Sequence, residues 1–296
     1  MNQKQKINPV PVVKKHFKSF DQTSIYYEVR GTGKPVVFVY GIGCLMNHFI
    51  YQTFYLAQNY QVISIDLRGH GKSASPKLKK NVSISALAKD IEFLLKKLKI
   101  TNAHFVGHSF GCSVLLEAYK QNKNSFKSLS LINGFASNPL DGMFYSKQLA
   151  QELYEYINRF SKTLPESFSL LWESVIDNPL SPYLLALLGG FNPHAVEKKD
   201  IEIYIQGLAY INQEIFFKLF NEMIKADYSN LLKKIKVPTL VIAGKKDPLT
   251  PLEKQKTISK AIANSTLFIF EDGSHCTQLD FPKELSNILQ NFINKV

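Results

Sequence analysis

Short apolar runs alternate along most of the chain with longer stretches in which apolar residues recur at every third or fourth position. The runs predict strands and the spaced stretches predict helices. The predicted strands span residues 23–29, 35–40, 61–67, 103–108, 128–132, 237–243 and 266–270. The predicted helices with clear spacing span residues 83–99, 112–121 and 281–293. Strands and helices in alternation are typical of a mainly parallel sheet with helices on both faces.

One long segment, residues 139–227, interrupts this alternation. It is helical in pattern and rich in aromatic residues and leucine, and it is broken by Pro165, Pro179, Pro182, Pro193 and the pair Gly189-Gly190. We interpret it as a helical cap inserted into a core made of residues 1–138 and 228–296. The sequence therefore predicts two domains, a core and a cap.

Composition is that of an ordinary globular protein. The 296 residues are 45% hydrophobic and 20% charged, and the longest apolar run, residues 182–188, is much too short to span a bilayer. No stretch near the start has the pattern of a secretory signal, and three cysteines, an odd number, argue against a disulfide framework. We therefore expect a cytoplasmic protein with reduced thiols and no stable membrane insertion.

The formal net charge of +12 comes almost entirely from lysines that are scattered over the predicted helices. Only three residues are arginine, namely Arg30, Arg68 and Arg159. A nucleic-acid-binding surface needs a basic stripe with arginines or stacking aromatic residues. We therefore expect a solvated lysine surface that at most favours anionic substrates or membranes, and no nucleic-acid partner. The sequence leaves the oligomeric state open.

Ser109 is the central residue of the stretch GHSFG. A predicted strand, residues 103–108, precedes it and a predicted helix, residues 112–121, follows it, so Ser109 lies on a sharp strand-to-helix corner. Such a corner imposes strained backbone angles and brings chain segments close together, which Gly107 and Gly111 tolerate because they have no Cβ. A purely structural corner serine is the alternative at this position.

A serine hydroxyl becomes a nucleophile when a base accepts its proton and a third group orients that base. In a parallel sheet, the partners are expected just beyond the carboxyl ends of later strands. Two residues satisfy this rule, Asp247 in the turn KKDPLTP and His275 in the turn EDGSHC. A turn-capping aspartate is the alternative for Asp247. Asp141 and Asp272 are rival acids, whereas Asn133, which follows an earlier strand, has no carboxylate.

The order serine, aspartate, histidine is that of the α/β-hydrolases. Together with GHSFG and the segment DLRGHGKS at residues 66–73, this order makes the sequence resemble that superfamily over nearly its whole length. Within the superfamily it resembles the serine ester hydrolases with a helical cap. The resemblance implies an α/β-hydrolase fold with a mainly parallel eight-stranded sheet and a cap. It implies that Ser109 is the nucleophile, that His275 is the base and that Asp247 orients the base.

By the same resemblance, the backbone N–H groups of Ile42 and Phe110 are expected to bind the oxyanion of the reaction. Ile42 lies in the stretch VYGIGC, where Gly41 and Gly43 keep the loop close to the nucleophile. Many members of the superfamily have a histidine where this chain has Tyr40, so the bracing of this loop differs here. We expect Tyr40 and Gly41 to contribute to the substrate site.

Most of the other candidates for chemistry are expected to be structural. Strand alternation points His108 away from Ser109, and the segment that contains His70 is expected to brace loops around the pocket. The cysteines match no zinc spacing and are expected to be small buried side chains, at Cys44, Cys112 and Cys276. We expect neither a metal nor a cofactor.

The aromatic and aliphatic content of the cap segment predicts an apolar roof over Ser109, with substrate contacts from Trp172, Tyr183 and Leu187. Packing of the cap's own helices is the alternative for these residues. The sequence thus predicts a serine hydrolase that cleaves a small apolar or amphiphilic carboxylic ester through an acyl-enzyme. A carbon–carbon bond hydrolase or perhydrolase of the same fold is one alternative, and a small-molecule sensor with a hydrolase-like fold is another.

Overall fold

The structure, a computed structural model, describes residues 10–178, 191 and 198–296. Its strands are β1 Val12–Lys18, β2 Ser24–Arg30, β3 Pro35–Val39, β4 Gln61–Ile65, β5 Ala103–His108, β6 Phe126–Ile132, β7 Thr239–Gly244 and β8 Ser265–Phe270. They form one eight-stranded sheet in the order β1-β2-β4-β3-β5-β6-β7-β8. β2 is antiparallel to both β1 and β4, and the other neighbours are parallel. The mainly parallel eight-stranded sheet is therefore confirmed.

The middle strands are buried on both faces. Every residue of β5 and of β7 is buried, and so are the four apolar residues that follow Pro35 in β3. A parallel strand between two layers of helices has no solvent side, so its residues form a continuous apolar run. Each fully buried aliphatic or aromatic side chain contributes about 1.5–3 kcal/mol to the stability of this core.

Helices flank the sheet and follow most of its strands. Their bounds are α1 Ile50–Leu56, α2 Ile84–Leu98, α3 Phe110–Gln121, α4 Lys147–Thr163, α5 Pro165–Asp177, α6 Lys198–Tyr210, α7 Gln213–Lys225, α8 Ser229–Leu232, α9 Leu252–Ala261, α10 Thr277–Asp280 and α11 Pro282–Lys295. Helix α2 illustrates how local signals in the sequence define the start and the end of a helix. The Ser83 hydroxyl accepts a hydrogen bond from the Ala86 N–H at its start, and Lys99 ends it in a left-handed conformation, with φ 57°.

The apolar pattern missed strand β1. Only Phe17 among its seven residues is buried, and Lys14, Lys15 and Lys18 are exposed. The backbone ladder to β2 holds this strand in place, from the pair Val12 and Arg30 to the pair Lys18 and Ser24. An edge strand of this kind needs little apolar pattern, and its lysines hinder pairing with another chain.

Helices α4 to α7 lie between β6 and β7, in the segment that the sequence assigns to a cap. Leu208 of α6 lies over Gly43, and Ile215 of α7 lies over Gly69, so both helices pack on loops at the carboxyl edge of the sheet. Residues 179–190 and 192–197 lie outside the described residues. The division into a core domain and a cap domain stays a prediction.

Candidate active site

Ser109 joins β5 to α3 at the corner that the sequence predicts. Its backbone has φ 54° and ψ −121°, which is strained for a residue with a side chain. Gly111 makes the corner possible, because a Cβ there would lie 2.2 Å from the carbonyl oxygen of Val39 and 2.7 Å from that of Tyr40. The close approach of α3 to the end of β3 therefore depends on a glycine, and it holds the Ser109 hydroxyl at the carboxyl edge of the sheet.

Two further side chains extend from Ser109 in a chain of hydrogen bonds. Nε2 of His275 lies 3.0 Å from Oγ of Ser109, and Nδ1 of His275 lies 2.8 Å from Oδ2 of Asp247. All three residues are buried, and Asp247 is fully so. A carboxylate only accepts hydrogen bonds, so Nδ1 carries a proton and Nε2 is the ring nitrogen in position to accept the serine O–H. This chain of contacts is able to move a proton from Ser109 to His275 and to hold the resulting positive charge beside Asp247.

The turn after β7 holds the Asp247 carboxylate. Its Oδ1 accepts backbone hydrogen bonds from Leu249 at 2.7 Å and from Thr250 at 2.9 Å, and Oδ2 accepts the Thr250 hydroxyl. A buried carboxylate needs such partners, because burial of an unpaired charge is costly. One side chain thus both caps the turn and contacts His275. The sequence reasoning missed Thr250, although an aspartate followed three residues later by threonine is a readable turn signal.

The rival acids lie in salt bridges with exposed lysines. Asp141 pairs with Lys147 at 2.8 Å, and Asp272 pairs with Lys246 at 2.6 Å. The Asp272 side chain is 70% exposed, in contrast to the fully buried Asp247. The structure therefore brings Asp247, and neither of these two carboxylates, into hydrogen-bond contact with a ring nitrogen of the histidine.

Asn133 anchors the loop that carries His275, a contact that the sequence reasoning missed. Its Oδ1 accepts a hydrogen bond from the Gly244 N–H at 2.8 Å. Its Nδ2 donates to the carbonyl oxygens of Ser274, at 3.0 Å, and of His275, at 2.7 Å. An amide has both the acceptor and the donors that these partners require, whereas a carboxylate has only acceptors. Asn133 therefore ties the ends of β6 and β7 to the His275 loop.

The two expected oxyanion donors lie on either side of Ser109. Phe110 is the first residue of α3, at the positive end of the helix. Gly41 lies against Ser109, since a Cβ at residue 41 would be 3.2 Å from Cβ of Ser109. Ile42 follows in a tight turn, which a hydrogen bond from the Cys44 N–H to the Gly41 carbonyl closes at 3.2 Å. The structure thus brings both expected segments next to Ser109.

Tyr40 braces this loop from within the protein. It is 1% exposed, and its hydroxyl accepts a hydrogen bond from the Leu67 N–H at 2.8 Å and donates one to Oδ1 of Asp66 at 3.2 Å. Burial and the neighbouring Asp66 carboxylate hold the pKa of the phenol well above its usual value, so it remains protonated. The structure places the hydroxyl among residues of the 66–73 loop. A contact between Tyr40 and substrate stays a prediction.

Two buried histidines lie behind His275. Nε2 of His108 donates to the His275 carbonyl oxygen at 2.9 Å, and the rings of the two residues are 4.9 Å apart. Burial, with a smaller effect of a neighbouring histidine, lowers the pKa of His48 to about 3 and that of His108 well below its usual value. Both rings are therefore neutral at pH 7, and they add no positive charge to the site.

The three cysteines are free and buried, and burial raises the pKa of each thiol above its usual value. A protonated buried thiol is a poor nucleophile and a poor metal ligand. Across residues 10–178, 191 and 198–296, no group of three or more His, Cys, Asp and Glu side chains is placed to hold a metal ion. A reaction without metal or cofactor stays a prediction.

Apolar side chains of the cap segment reach the loop beside Ser109. A Cβ on Gly43 would lie 2.6 Å from Leu208 and 3.4 Å from Phe216. Trp172 belongs to the same aromatic cluster, with its ring centroid 5.9 Å from that of Phe216 and 6.0 Å from that of Phe168. Trp172 also lines an open groove of about 960 Å³ between α4, α5 and α7.

Of the three residues that the sequence predicts as substrate contacts in the cap segment, the structure describes one, Trp172. Trp172 contacts the ring of Phe216, and Phe216 in turn contacts the Gly43 loop. Phe216 therefore lies between Trp172 and that loop. Tyr183 and Leu187 lie outside the described residues. Leu208, which the sequence reasoning did not single out, lies directly on Gly43, and helical spacing alone does not show which apolar residue of a helix faces a ligand.

Comparison with known proteins agrees with this architecture. A family model described as the alpha/beta hydrolase fold matches residues 34–282. The AB hydrolase superfamily protein YisY of Bacillus subtilis is 22% identical over 285 residues, which are 94% of this chain and 98% of that protein. The 3-oxoadipate enol-lactonase 1 of Acinetobacter baylyi is 24% identical over 241 residues, which are 81% of each chain.

A solved structure shares the fold. An esterase from Exiguobacterium antarcticum matches with a TM-score of 0.75 and 23% sequence identity, and the match covers 95% of this chain and 100% of the esterase. At this identity the likeness shows the fold alone. In the described part of the chain, no helix has both the length and the apolar character needed to cross a membrane.

Proposed function

The chain belongs to the alpha/beta hydrolase fold family, and we propose that it is a serine hydrolase that cleaves a small apolar or amphiphilic carboxylic ester. The observation that carries the proposal is the buried chain of contacts from Ser109 through His275 to Asp247, with distances of 3.0 and 2.8 Å. Members of one fold perform many functions. The proposal therefore depends on the chemistry of these three side chains.

The reaction proceeds through an acyl-enzyme. Nε2 of His275 accepts the proton of the Ser109 hydroxyl while Oγ attacks the carbonyl carbon of the ester. The tetrahedral intermediate then expels the alcohol, which accepts from His275 the proton that came from Ser109. Water repeats the two steps on the acyl-enzyme and releases the carboxylic acid. Asp247 keeps the proton of His275 on Nδ1 and stabilises the imidazolium that forms in each step.

The backbone N–H groups of Ile42 and Phe110 bind the oxyanion of both intermediates. Each such donor lowers the barrier by about 2.7–4 kcal/mol when it points to the place where the charge develops. The support is positional, since Gly41 contacts Ser109 and Phe110 begins α3 directly after it. In this mechanism no step requires a metal or a cofactor.

The surroundings of the site favour an apolar acyl or alcohol group. Leu208 and Phe216 lie on the loop that contains Ile42, and small-molecule sites are commonly apolar with a few polar anchors. Two of the similar proteins are named an esterase and an enol-lactonase, and a lactone is a cyclic ester. A cytoplasmic location is also proposed, on the ground of the three free cysteines.

A fluorophosphonate probe tests the proposal, because it reacts covalently with an activated serine. We expect the wild-type protein to be labelled at Ser109, Ser109→Ala to lose the label, and Ser113→Ala to keep it. Ser113 is a matched control, since it lies in α3, the helix that begins directly after Ser109, and its buried hydroxyl donates to the Phe135 carbonyl beyond β6.

A rate profile over p-nitrophenyl esters of increasing chain length then tests the substrate class, with a carbon–carbon hydrolase substrate measured beside it. We expect turnover of the esters and none of the carbon–carbon substrate. Absence of labelling, together with a rise in melting temperature on addition of small ligands, would show a sensor instead. Turnover of only the carbon–carbon substrate would move the protein to that class of hydrolase.

A further inference from the structure

The loop 40–43, which carries the proposed donor Ile42, contacts the 66–73 loop at two points. The first is the Tyr40 hydroxyl, between Leu67 and Asp66. The second is a hydrogen bond from the backbone N–H of Gly43 to Nε2 of His70, at 3.3 Å. The second contact lies one residue beyond the proposed oxyanion donor, so it acts on the same tight turn.

His70 has the protonation state that this contact requires. A backbone N–H only donates, so Nε2 must accept, and the ring proton is then on Nδ1, which lies 3.2 Å from the Arg68 carbonyl oxygen. The ring is 1% exposed. Burial lowers the pKa of His70 to about 4, against a smaller opposite effect of the hydrogen bond to Arg68. The ring is therefore neutral at pH 7 and offers one acceptor.

The loop that carries His70 is rigidly anchored. The Arg68 guanidinium donates to both carboxylate oxygens of Asp90, at 2.7 and 2.5 Å, and to Asp21 at 2.9 Å. Asp66 accepts from the Lys72 N–H at 2.9 Å, and the Ser73 hydroxyl donates to the Asp66 carbonyl at 2.7 Å. Nε2 of His70 is thus an acceptor whose position is set by the core of the protein.

The hydrogen bond to His70 fixes one orientation of the central peptide in this turn. Gly43 has φ 68° at the third position of a turn closed by the Cys44 N–H and the Gly41 carbonyl, which is the position of glycine in a type II turn. Rotation of the central peptide to a type I turn would exchange the Gly43 N–H for the Ile42 carbonyl oxygen on the same side. That oxygen would then face Nε2 of His70, and two acceptors repel each other.

We propose that His70 is a positioning residue: it holds the Gly43 N–H, fixes the orientation of the peptide between Ile42 and Gly43, and so limits movement of the turn that presents the Ile42 N–H to the oxyanion. Its kinetic consequence rests on the proposed ester hydrolysis. A loosened turn weakens a contact made in the transition state, so kcat falls while KM stays near its wild-type value. We expect a loss of about 10- to 100-fold, below the 10²–10³-fold loss that follows removal of a donor.

The test compares three substitutions. His70→Phe removes the acceptor and keeps a ring, whereas His70→Gln keeps an acceptor oxygen near the position of Nε2. His104→Phe is the matched control, because His104 is also buried but bonds to Ser128 within the sheet, at 2.8 Å. We expect H70F to lose kcat, H70Q to recover most of it, and H104F to lower the melting temperature without a change in kcat.

Hydrogen exchange provides a readout that does not depend on ester turnover. We expect the peptide that covers residues 40–47 to exchange faster in H70F than in the wild type and in H104F. If H70F does not fold, His70→Asn replaces it, because the shorter amide does not reach Gly43. Equal kcat in H70F and wild type, or unchanged exchange in this peptide, would overturn the inference. If the wild type itself turns over no ester, the proposed function fails, and the exchange result alone decides on the role of His70.

Discussion

Asp247 is the residue at which the proposed mechanism is most sharply tested. In Asp247→Asn the side chain keeps its size, but the imidazolium on His275 loses its counter-charge and the ring loses the acceptor that selects its tautomer. We expect kcat for a p-nitrophenyl ester to fall by about 10⁴-fold, as for the same substitution in a Ser-His-Asp protease. The protein is expected to keep its fold with a moderately lower melting temperature, since an amide still has an acceptor for the turn N–H groups but not a second one for the Thr250 hydroxyl.

The rival acids supply the control for this prediction. Asp141→Asn and Asp272→Asn each break a salt bridge with an exposed lysine, which contributes little to stability. We expect wild-type rates from both variants. An undiminished rate in the Asp247 variant, or a large loss in either control, would assign the orienting role to another carboxylate.

Asn133 leads to a second prediction at the residue scale. In Asn133→Asp an oxygen replaces Nδ2 and faces the carbonyl oxygens of Ser274 and His275, where the amide now donates two hydrogen bonds. We expect the free energy of unfolding to fall by about 1–3 kcal/mol in urea denaturation, because buried acceptors are left without donors. We also expect no rescue of the Asp247→Asn variant by a second substitution at this position. Recovery of the ester rate in the double variant would show that the acid site is interchangeable.

Between elements, helix α6 of the cap segment approaches the Gly43 loop closely. A Cβ on Gly207 would lie 2.4 Å from the Gly43 carbonyl oxygen and 3.0 Å from Cα of Cys44. Gly207→Ala therefore sets two effects against each other. Helix propensity favours alanine by about 1 kcal/mol, whereas the overlap costs about 1–3 kcal/mol.

We expect the overlap to dominate in Gly207→Ala, because its nearest partner is backbone and has little freedom to move. The expected result is a lower melting temperature and at least a roughly tenfold loss of kcat/KM, since α6 presses on the turn that carries the proposed oxyanion donor. Ala209→Gly on the exposed side of the same helix is the control. It is expected to lose stability with unchanged activity. A Gly207→Ala protein that is more stable and fully active would show that the cap and this loop are not coupled.

At the scale of the whole molecule, buried neutral histidines make stability depend on pH. Burial lowers the pKa of His48 to about 3 and those of His70 and His104 to about 4, whereas an unfolded histidine titrates near 6.5. Below about pH 6.5 the unfolded chain binds protons that the folded chain does not bind. The contribution of these neutral histidines to the free energy of unfolding is therefore complete above pH 6.5 and is lost as the pH falls towards 4.

We predict a steady fall in the free energy of unfolding between pH 7 and pH 5, measured by urea denaturation at each pH. Burial raises the pKa of the Asp66 and Asp90 carboxylates, which act in the opposite direction, so the contribution of one histidine is isolated by substitution. His104→Phe is expected to reduce the slope of the free energy of unfolding against pH by at most about 1.4 kcal/mol per pH unit, which corresponds to one proton. An unchanged slope in this variant would contradict the prediction.

The architecture was largely readable from the sequence. Buried parallel strands are continuous apolar runs, so seven of the eight strands appear in the pattern, and the family resemblance implied the eight-stranded sheet that is observed. Strand β1 did not appear, because backbone pairing with β2 holds it and only Phe17 is buried. The pattern of apolar and polar side chains does not reveal a strand that is held mainly by backbone hydrogen bonds to its neighbour.

The sequence by itself determined the order and local setting of Ser109, Asp247 and His275, because turns at strand ends have local signals in glycine, proline and aspartate. Only the tertiary structure decided their distances, the partners of Tyr40, Asn133 and His70, and the cap residues that reach the Gly43 loop. These contacts join residues far apart in the chain. They depend on sheet order and on the packing of helices over one edge, and a periodic pattern along the sequence contains neither.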